Sequence, residues 1–375
     1  MAARIVAASS AFPEHRIDSA QVKTQLRSIF GDRVPELETY ARMVDRAGID
    51  HRHLVLPVEE TTRRRSLKEK NGIYIEKAQE LAEEATRLCL AKAGIAASEV
   101  DALFTVSCTG FMIPSLDARL VGRMGFREDV VRFPVNEMGC AAGAWALSRC
   151  RERAAAVPGG KTLLVSVELP SLTFQPDDLS GANLLSSVLF GDGAVALLID
   201  GGQSTSPGIE ILASRSVTFP DSLHLMGFEL DETGFHIVLD RDIPAVISQQ
   251  ALPRLTSFLS EHGLERSDIG FWAIHPGGMK ILDSMAKALD LGPRELSTSL
   301  GVWSRRGNLS SATVLCVLEE FMRTPPPAGT RGVGLAFGPG FCMELLLLEQ
   351  AGNQAAGKAA ARPARNSVEP VAGQY

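Results

Sequence analysis

The chain lacks most features by which a sequence announces a membrane, a metal or a nucleic acid. No apolar run approaches the roughly 20 residues of a membrane-spanning helix. The opening "MAARIVAASSAFPEHR" turns polar at Pro13 and Glu14, too soon for a secretory leader. Positive charge is not in excess: 38 Lys and Arg stand against 44 Asp and Glu, a net charge of −6, so no global field draws the protein to nucleic acid. Cysteine is sparse and scattered. Cys89, Cys108, Cys140, Cys150, Cys316 and Cys342 form no C-x-x-C pair and no Cys/His cluster at zinc spacing. That pattern argues against a metal centre and for free thiols, with a reducing cytoplasm as the expected location. There is no P-loop, and no G-x-G-x-x-G follows a strand, so a nucleotide fingerprint is missing too.

What is present is an ordinary globular mixture, 45% hydrophobic and 22% charged over 375 residues, enough for one large or two medium domains. Buried-looking strands alternate with helices. "ARIVAASSAF", "VDALFTVSCT" and "KTLLVSVEL" read as strands, and the span 73–95 as a long amphipathic helix. "VLFGDGAVALLID" reads as a strand broken by a Gly-Asp-Gly turn. The second half repeats this grammar with the helix "VISQQALPRLTSFLSEHGL", the strand "IGFWAIHPGG", the helix "SSATVLCVLEEFMR" and a glycine-rich hairpin over 332–350. Continuous apolar strands between helices predict an α/β design with sheets covered on both faces. The expected division is 1–205 for the first half, 206–350 for the second and 351–375 for an Ala/Gly/Pro-rich disordered tail.

Three residues could carry chemistry. Cys140, in "FPVNEMGCAAGAWALSRC", precedes small residues that let a helix start tightly. It reads as a thiolate helped by unpaired backbone N–H groups, or as a buried small hydrophobe. His275 follows the buried strand "FWAI" and precedes Pro276-Gly277-Gly278, which aims it at a cleft; a hydrogen-bonded core histidine is the other reading. Asn308 lies in "RRGNLSSATVLCVL", where either it or Ser310 could serve only as a helix cap. The loop "AFGPGF" fits a rigid wall beside a ligand. Arg42, Arg46 and Arg52, followed by Arg63, Arg64, Arg65, Lys68 and Lys70, form either a solvated face or a patch for phosphates.

Taken together, "GCAAG", "LFGDGA", "HPGG", "GNLSSA" and "FGPGF", in that order, resemble the type III polyketide synthases, the chalcone- and stilbene-synthase-like branch of the thiolase superfamily, over about residues 1–350. The resemblance implies a duplicated αβαβα layered fold and a homodimer. It implies catalytic roles for Cys140, His275 and Asn308, with phenylalanine gates at Phe190 and Phe235. Coenzyme A phosphates would fall on Arg42 and Arg46, while Thr39 stands where the family has a third basic residue. Cys108, Ile113, Thr173 and Ser310 would shape the cavity, with Ile113 placed to reach the neighbouring subunit. The substrates implied are an acyl-CoA starter and malonyl-CoA, with no separate cofactor and no metal.

The chemistry agrees with that assignment. A thiolate is both nucleophile and leaving group, and an imidazolium could hold it as an ion pair. His275 and Asn308 could both donate to a thioester oxyanion, and to the enolate left when malonyl-CoA loses carbon dioxide. "LMGFELDETGFHIVLDRDIP" looks like bacterial enzymes that extend fatty acyl starters to alkylpyrones or alkylresorcinols. Cys108 pulls toward malonyl-only members such as tetrahydroxynaphthalene synthase, and a malonyl-only enzyme could also be of the phloroglucinol type. The expectation is a medium-to-long acyl starter, with malonyl-CoA alone as the alternative. A ketoacyl-ACP synthase III-like enzyme and a thiol-bearing sensor are the rivals.

Overall fold

The computed structural model of the chain describes residues 3–352 except residue 203. Its strands are β1 (Ala3–Ala11), β2 (His15–Asp18), β3 (His51–Leu54), β4 (Ala102–Val106), β5 (Val131–Val135), β6 (Lys161–Glu168) and β7 (Gly193–Asp200) in the first half. The second half has β8 (Gly208–Thr218), β9 (Met226–Asp231), β10 (Gly234–Leu239), β11 (Ile269–Ile274), β12 (Arg331–Gly338) and β13 (Cys342–Ala351). Nine of them form one sheet in the order β11-β12-β13-β8-β1-β7-β6-β4-β5, while β2 pairs with β3 and β9 with β10.

The order reveals a duplication that residue identity hides. In the first half β4 and β6 are parallel, β6 and β7 antiparallel, and β7 and β1 antiparallel. In the second half β11 and β12 are parallel, β12 and β13 antiparallel, and β13 and β8 antiparallel. The two first strands, β1 and β8, pair antiparallel at the centre, with Arg4 opposite Glu210.

Strand periodicity then builds the layers, because successive side chains leave opposite faces of a strand. Leu163, Val165 and Val167 of β6 pack with the outer helix Leu67–Ala93, while Leu164 packs inward. Leu345 and Leu347 of β13 pack with the outer helix Ile243–Ser260, while Leu346 and Leu348 pack inward. The inward faces of both half-sheets meet the helices Ala142–Ala156 and Ala312–Arg323. The architecture is therefore αβαβα, the layered thiolase-like fold.

Several expected elements shift. The helix expected over 73–95 runs Leu67–Ala93, started by Ser66 and Glu69 in a reciprocal capping box and stopped by Gly94 in the left-handed region. The strand expected from residue 188 begins at Gly193, because Gly181–Leu189 is helical. The tail expected over 351–375 lies, past residue 352, outside the described residues; its first residue, Ala351, closes β13 opposite Gly208.

Candidate active site

Each central helix begins at one cavity of about 680 Å³, and Cys140, His275 and Asn308 all line it. The chain leaves β5, passes Gly139 at φ 52°, and turns through Gly139–Ala141 into the helix Ala142–Ala156. Glycine is needed at 139 twice over: the backbone is left-handed, and a Cβ would lie 2.5 Å from Pro339 of the "FGPGF" loop. Cys140 is 9% exposed, at the cavity wall.

His275 follows β11, its backbone N–H donating to the Leu335 carbonyl of β12 at 2.8 Å. Both ring nitrogens are buried and have no partner among the described residues, so they are free for a ligand. Asn308 follows Gly307, which sits at φ 68°. Its Oδ1 accepts the backbone N–H of Ser310 at 2.8 Å and the Thr313 hydroxyl at 3.3 Å. Those bonds fix the amide orientation and make Nδ2 the donor. One Nδ2 bond reaches the Gly277 carbonyl at 3.3 Å, which leaves a second N–H for the cavity.

Ser310 joins two thiols: its hydroxyl is 3.5 Å from the Cys140 Sγ and 3.4 Å from the Cys108 Sγ. Cys108 in turn donates its backbone N–H to Glu168 at 3.0 Å. Glu168 is fully buried at the end of β6, and it also accepts from Thr109 at 2.9 Å and from Ser311. Burial raises its pKa above the ordinary carboxylate value. In the sequence Glu168 shows only as a lone acid at the end of the apolar run "TLLVSVEL".

Burial pushes the Cys140 thiol up to about 11, with Glu168 adding to the rise and Ser310 opposing it. Burial alone pushes His275 down to about 4. Burial thus biases each group toward its neutral form, and a neutral imidazole can accept a thiol proton.

The structure gathers Phe190, Cys108, Thr173 and Ser310 around the same cavity as expected. Thr173 spends its hydroxyl on the Pro170 carbonyl at 2.8 Å, so it presents its methyl side as wall. Phe235 does not line the cavity. It sits two register pairs nearer the hairpin tip than Ile237, its ring tilted against Phe111 with centroids 5.3 Å apart. Phe228, opposite Ile237 on β9, is the hairpin phenylalanine that lines it. Ile113 does not line the cavity of its own chain either: it is 97% exposed, on the loop before the helix Leu116–Met124. Arg46 lines the cavity mouth, whereas Arg42, one turn earlier, donates to Thr39 at 3.0 Å and stands outside the lining. Of the basic patch, Arg64 pairs with Asp177 and Arg65 with Glu60, so those charges are already met. Among the described residues no helix is long and apolar enough to cross a membrane.

Residues 1–203 match the family model described as chalcone and stilbene synthases, N-terminal domain, and residues 210–351 match the corresponding C-terminal domain. The chain is 40% identical over 348 residues to 1,3,6,8-tetrahydroxynaphthalene synthase of Streptomyces peucetius subsp. caesius, covering 92% of each chain. It is 32% identical over 340 residues to phloroglucinol synthase of Pseudomonas fluorescens, covering 90% of this chain and 96% of that one. Among solved structures, 1,3,6,8-tetrahydroxynaphthalene synthase from Streptomyces coelicolor A3(2) superposes with a TM-score of 0.89 at 32% identity, covering 93% of this chain and 99% of that one.

Proposed function

The chain belongs to the chalcone and stilbene synthase family, the type III polyketide synthases, and from that premise we propose that it builds its product from malonyl-CoA alone. As a member of that family it is an acyl-transferring, Claisen-condensing enzyme. The choice of starter is carried by one observation, the 40% identity to a tetrahydroxynaphthalene synthase across 92% of both chains. Tetrahydroxynaphthalene has ten carbons with oxygens on alternate positions, and phloroglucinol has six with the same alternation. Neither product bears an alkyl chain, so neither name speaks of a fatty starter. Cys108, at the cavity wall beside Ser310, fits the same reading. The medium-to-long acyl starter expected from the hairpin sequence gives way to it.

The proposed cycle starts when Cys140 Sγ bonds to the malonyl carbonyl carbon and the bond to the coenzyme A sulfur breaks. His275 takes the thiol proton and returns it to the departing coenzyme A. A second malonyl-CoA loses carbon dioxide, and the electron pair of the broken bond becomes an enolate. His275 Nε2, carrying a proton, and Asn308 Nδ2 donate to its oxygen. The enolate carbon then attacks the carbonyl held on Cys140, a carbon–carbon bond forms, and the Cys140 sulfur leaves. The lengthened chain, now on coenzyme A, is passed back to Cys140 for the next round. The apolar walls, among them Val188, Leu189 and Ile247, keep water from the growing chain.

Purified protein incubated with malonyl-CoA alone, with products read by mass spectrometry, tests this. A six- to ten-carbon polyhydroxylated aromatic is the expected result. Absence of any product without an added long acyl-CoA, and efficient extension of that acyl-CoA, would return the acyl-starter reading.

We also propose a homodimer. The support is three exposed apolar side chains, Ile113 at 97% and Phe111 at 39% on one loop and Val131 at 41% on the sheet-edge strand β5. Sedimentation at micromolar concentration should give about twice 40.2 kDa.

A further inference from the structure

Arg52, on β3, does not line the cavity and is 3% exposed. A buried guanidinium calls for a reason, because taking its charge out of water is costly. Burial lowers its pKa to about 10, and the buried Asp192 carboxylate opposes that fall, so the side chain stays a cation at neutral pH. Its Nη1 donates to the Ser187 carbonyl at 2.7 Å. Ser187 lies in the last turn of the helix Gly181–Leu189, where carbonyls lack helical partners and a cation is favoured.

The carbon stem of Arg52 meets two further places on the way. A Cβ on Gly307 would lie 3.0 Å from Arg52 Cγ and Cδ, and one on Gly191 would lie 3.2 Å from Arg52 Cβ. Gly307 precedes Asn308, and Gly191 follows Phe190. These two segments are bonded to each other: the Asn308 N–H donates to the Leu189 carbonyl, and the Gly191 N–H to the Asn308 carbonyl. Both polar groups of the Asn308 backbone are therefore spent on the segment that Arg52 holds. The strand β3 grips that segment through its backbone as well, since the Asp192 N–H donates to the His53 carbonyl at 2.8 Å. The Asn308 side chain has its Oδ1 tied within its own turn, so the place of Nδ2 in the cavity follows the place of that backbone. We propose that Arg52 is a positioning residue for the Asn308 amide, fixing the spacing between residues 187–191 and the Gly307-Asn308 turn. Oxyanion donors act over a narrow distance, and a displacement of about 1 Å can cost on the order of 10²-fold in rate. A strand of the first half thereby sets a donor of the second half. This inference rests on the donor role given to Asn308 above.

Arg52→Met would leave Asp192 an unpaired buried charge, so the test uses Arg52→Lys. Lysine keeps the charge and the carbons beside Gly307, but its nitrogen falls a bond short of the Ser187 carbonyl. Malonyl decarboxylation should be roughly threefold to tenfold slower in kcat, with KM within about twofold and loading on Cys140 at the wild-type rate. A merely structural role is separated by repeating the change in Asn308→Ala. With the amide gone, Arg52→Lys should alter the residual rate by less than about twofold, because a residue that acts through another has no further effect once that other is removed. The same fold loss in both backgrounds overturns the proposal. So does a loss of Cys140 loading equal to the loss of decarboxylation, or a wild-type kcat in Arg52→Lys. Protein labelled with 15N-asparagine gives a readout independent of turnover. The Asn308 side-chain resonance, identified by its absence in Asn308→Ala, should move in Arg52→Lys, and an unmoved resonance overturns the proposal. If the wild type decarboxylated no malonyl-CoA, that resonance would still decide this point, and only the reaction proposed above would fall.

Discussion

The helices Ala142–Ala156 and Ala312–Arg323 occupy the same place in the two halves of the fold, each leading into the parallel partner strand, β6 or β12. Each is approached through a glycine at positive φ, Gly139 in one case and Gly307 in the other. They touch near their starts, where a Cβ on Gly143 would lie 2.2 Å from the Ser311 carbonyl. Their chemistry differs completely. The first start offers a buried thiol and no side-chain cap, while the second offers an amide locked by its own Oδ1 and a serine at φ 49°. A duplicated frame has brought two equivalent backbone positions to one point, and side-chain divergence has made one a candidate nucleophile and the other a candidate donor.

The strongest way to break this division of labour is Cys140→Ser. A hydroxyl is hardly ionised at neutral pH, so no acyl-enzyme should appear in the intact-protein mass spectrum after incubation with malonyl-CoA. Loading at near the wild-type rate would show that the first helix is not the nucleophilic one. Asn308→Ala comes next. Malonyl decarboxylation should fall roughly 10²–10³-fold, while loading on Cys140 persists in part. Equal and complete loss of both steps would mean that Asn308 holds the helix start rather than an oxyanion.

Gly143→Ala tests whether the two starts must stay in contact. The added methyl meets backbone, which cannot swing aside as a side chain can, so denaturant unfolding should show a loss of about 3 kcal/mol, the upper end of overpacking costs. A neutral result would mean the helices can part without penalty.

The smallest effect contrasts the buried acids. Glu168 in the first half accepts from several donors, whereas the side chain of Glu344 in the second accepts from Ser216 at 2.6 Å. Burial raises Glu344 to about 7. The unfolded chain therefore releases this proton at lower pH than the folded one, and stability falls as pH rises from about 4.5 to about 7. Glu344→Gln should flatten that slope by roughly 1 kcal/mol per pH unit, read from denaturant midpoints at successive pH values. An unchanged slope would place the titration elsewhere, Asp192, raised to about 6, being the next candidate.

That Cys140, His275 and Asn308 come together at one cavity was legible in the sequence. Cys140, His275 and Asn308 each sit beside a glycine or proline that fixes a strand or helix end, and such punctuation shows in one chain. The alternating burial of β6 and β13 was legible as continuous apolar runs. Phe235 was expected at the cavity and lies outside its lining, because which residues of a hairpin reach a cavity depends on register and on packing between distant segments. Helix Gly181–Leu189 was read partly as strand, since an apolar run such as "NLLSSVLF" satisfies either period over so short a length. Glu168 shows in the sequence only as an acid ending an apolar run, and the assembled bonds from Cys108, Thr109 and Ser311 give it significance.

Phe190 and Asn308 are joined by a backbone bridge: the Asn308 N–H donates to the Leu189 carbonyl at 2.8 Å, and the Gly191 N–H to the Asn308 carbonyl at 3.0 Å. Phe190 and the candidate amide donor Asn308, both lining the cavity, are thus one mechanical piece. Widening the entrance by moving this segment would displace the amide as well, so a gain in substrate range made here would tend to be cancelled by slower turnover. Walls without that linkage, such as Thr173, Met226 and Ile247, can change size while the amide stays put. Selection for new products, in nature or in a directed-evolution experiment, should therefore accumulate its changes at those walls and leave the bridged pair alone.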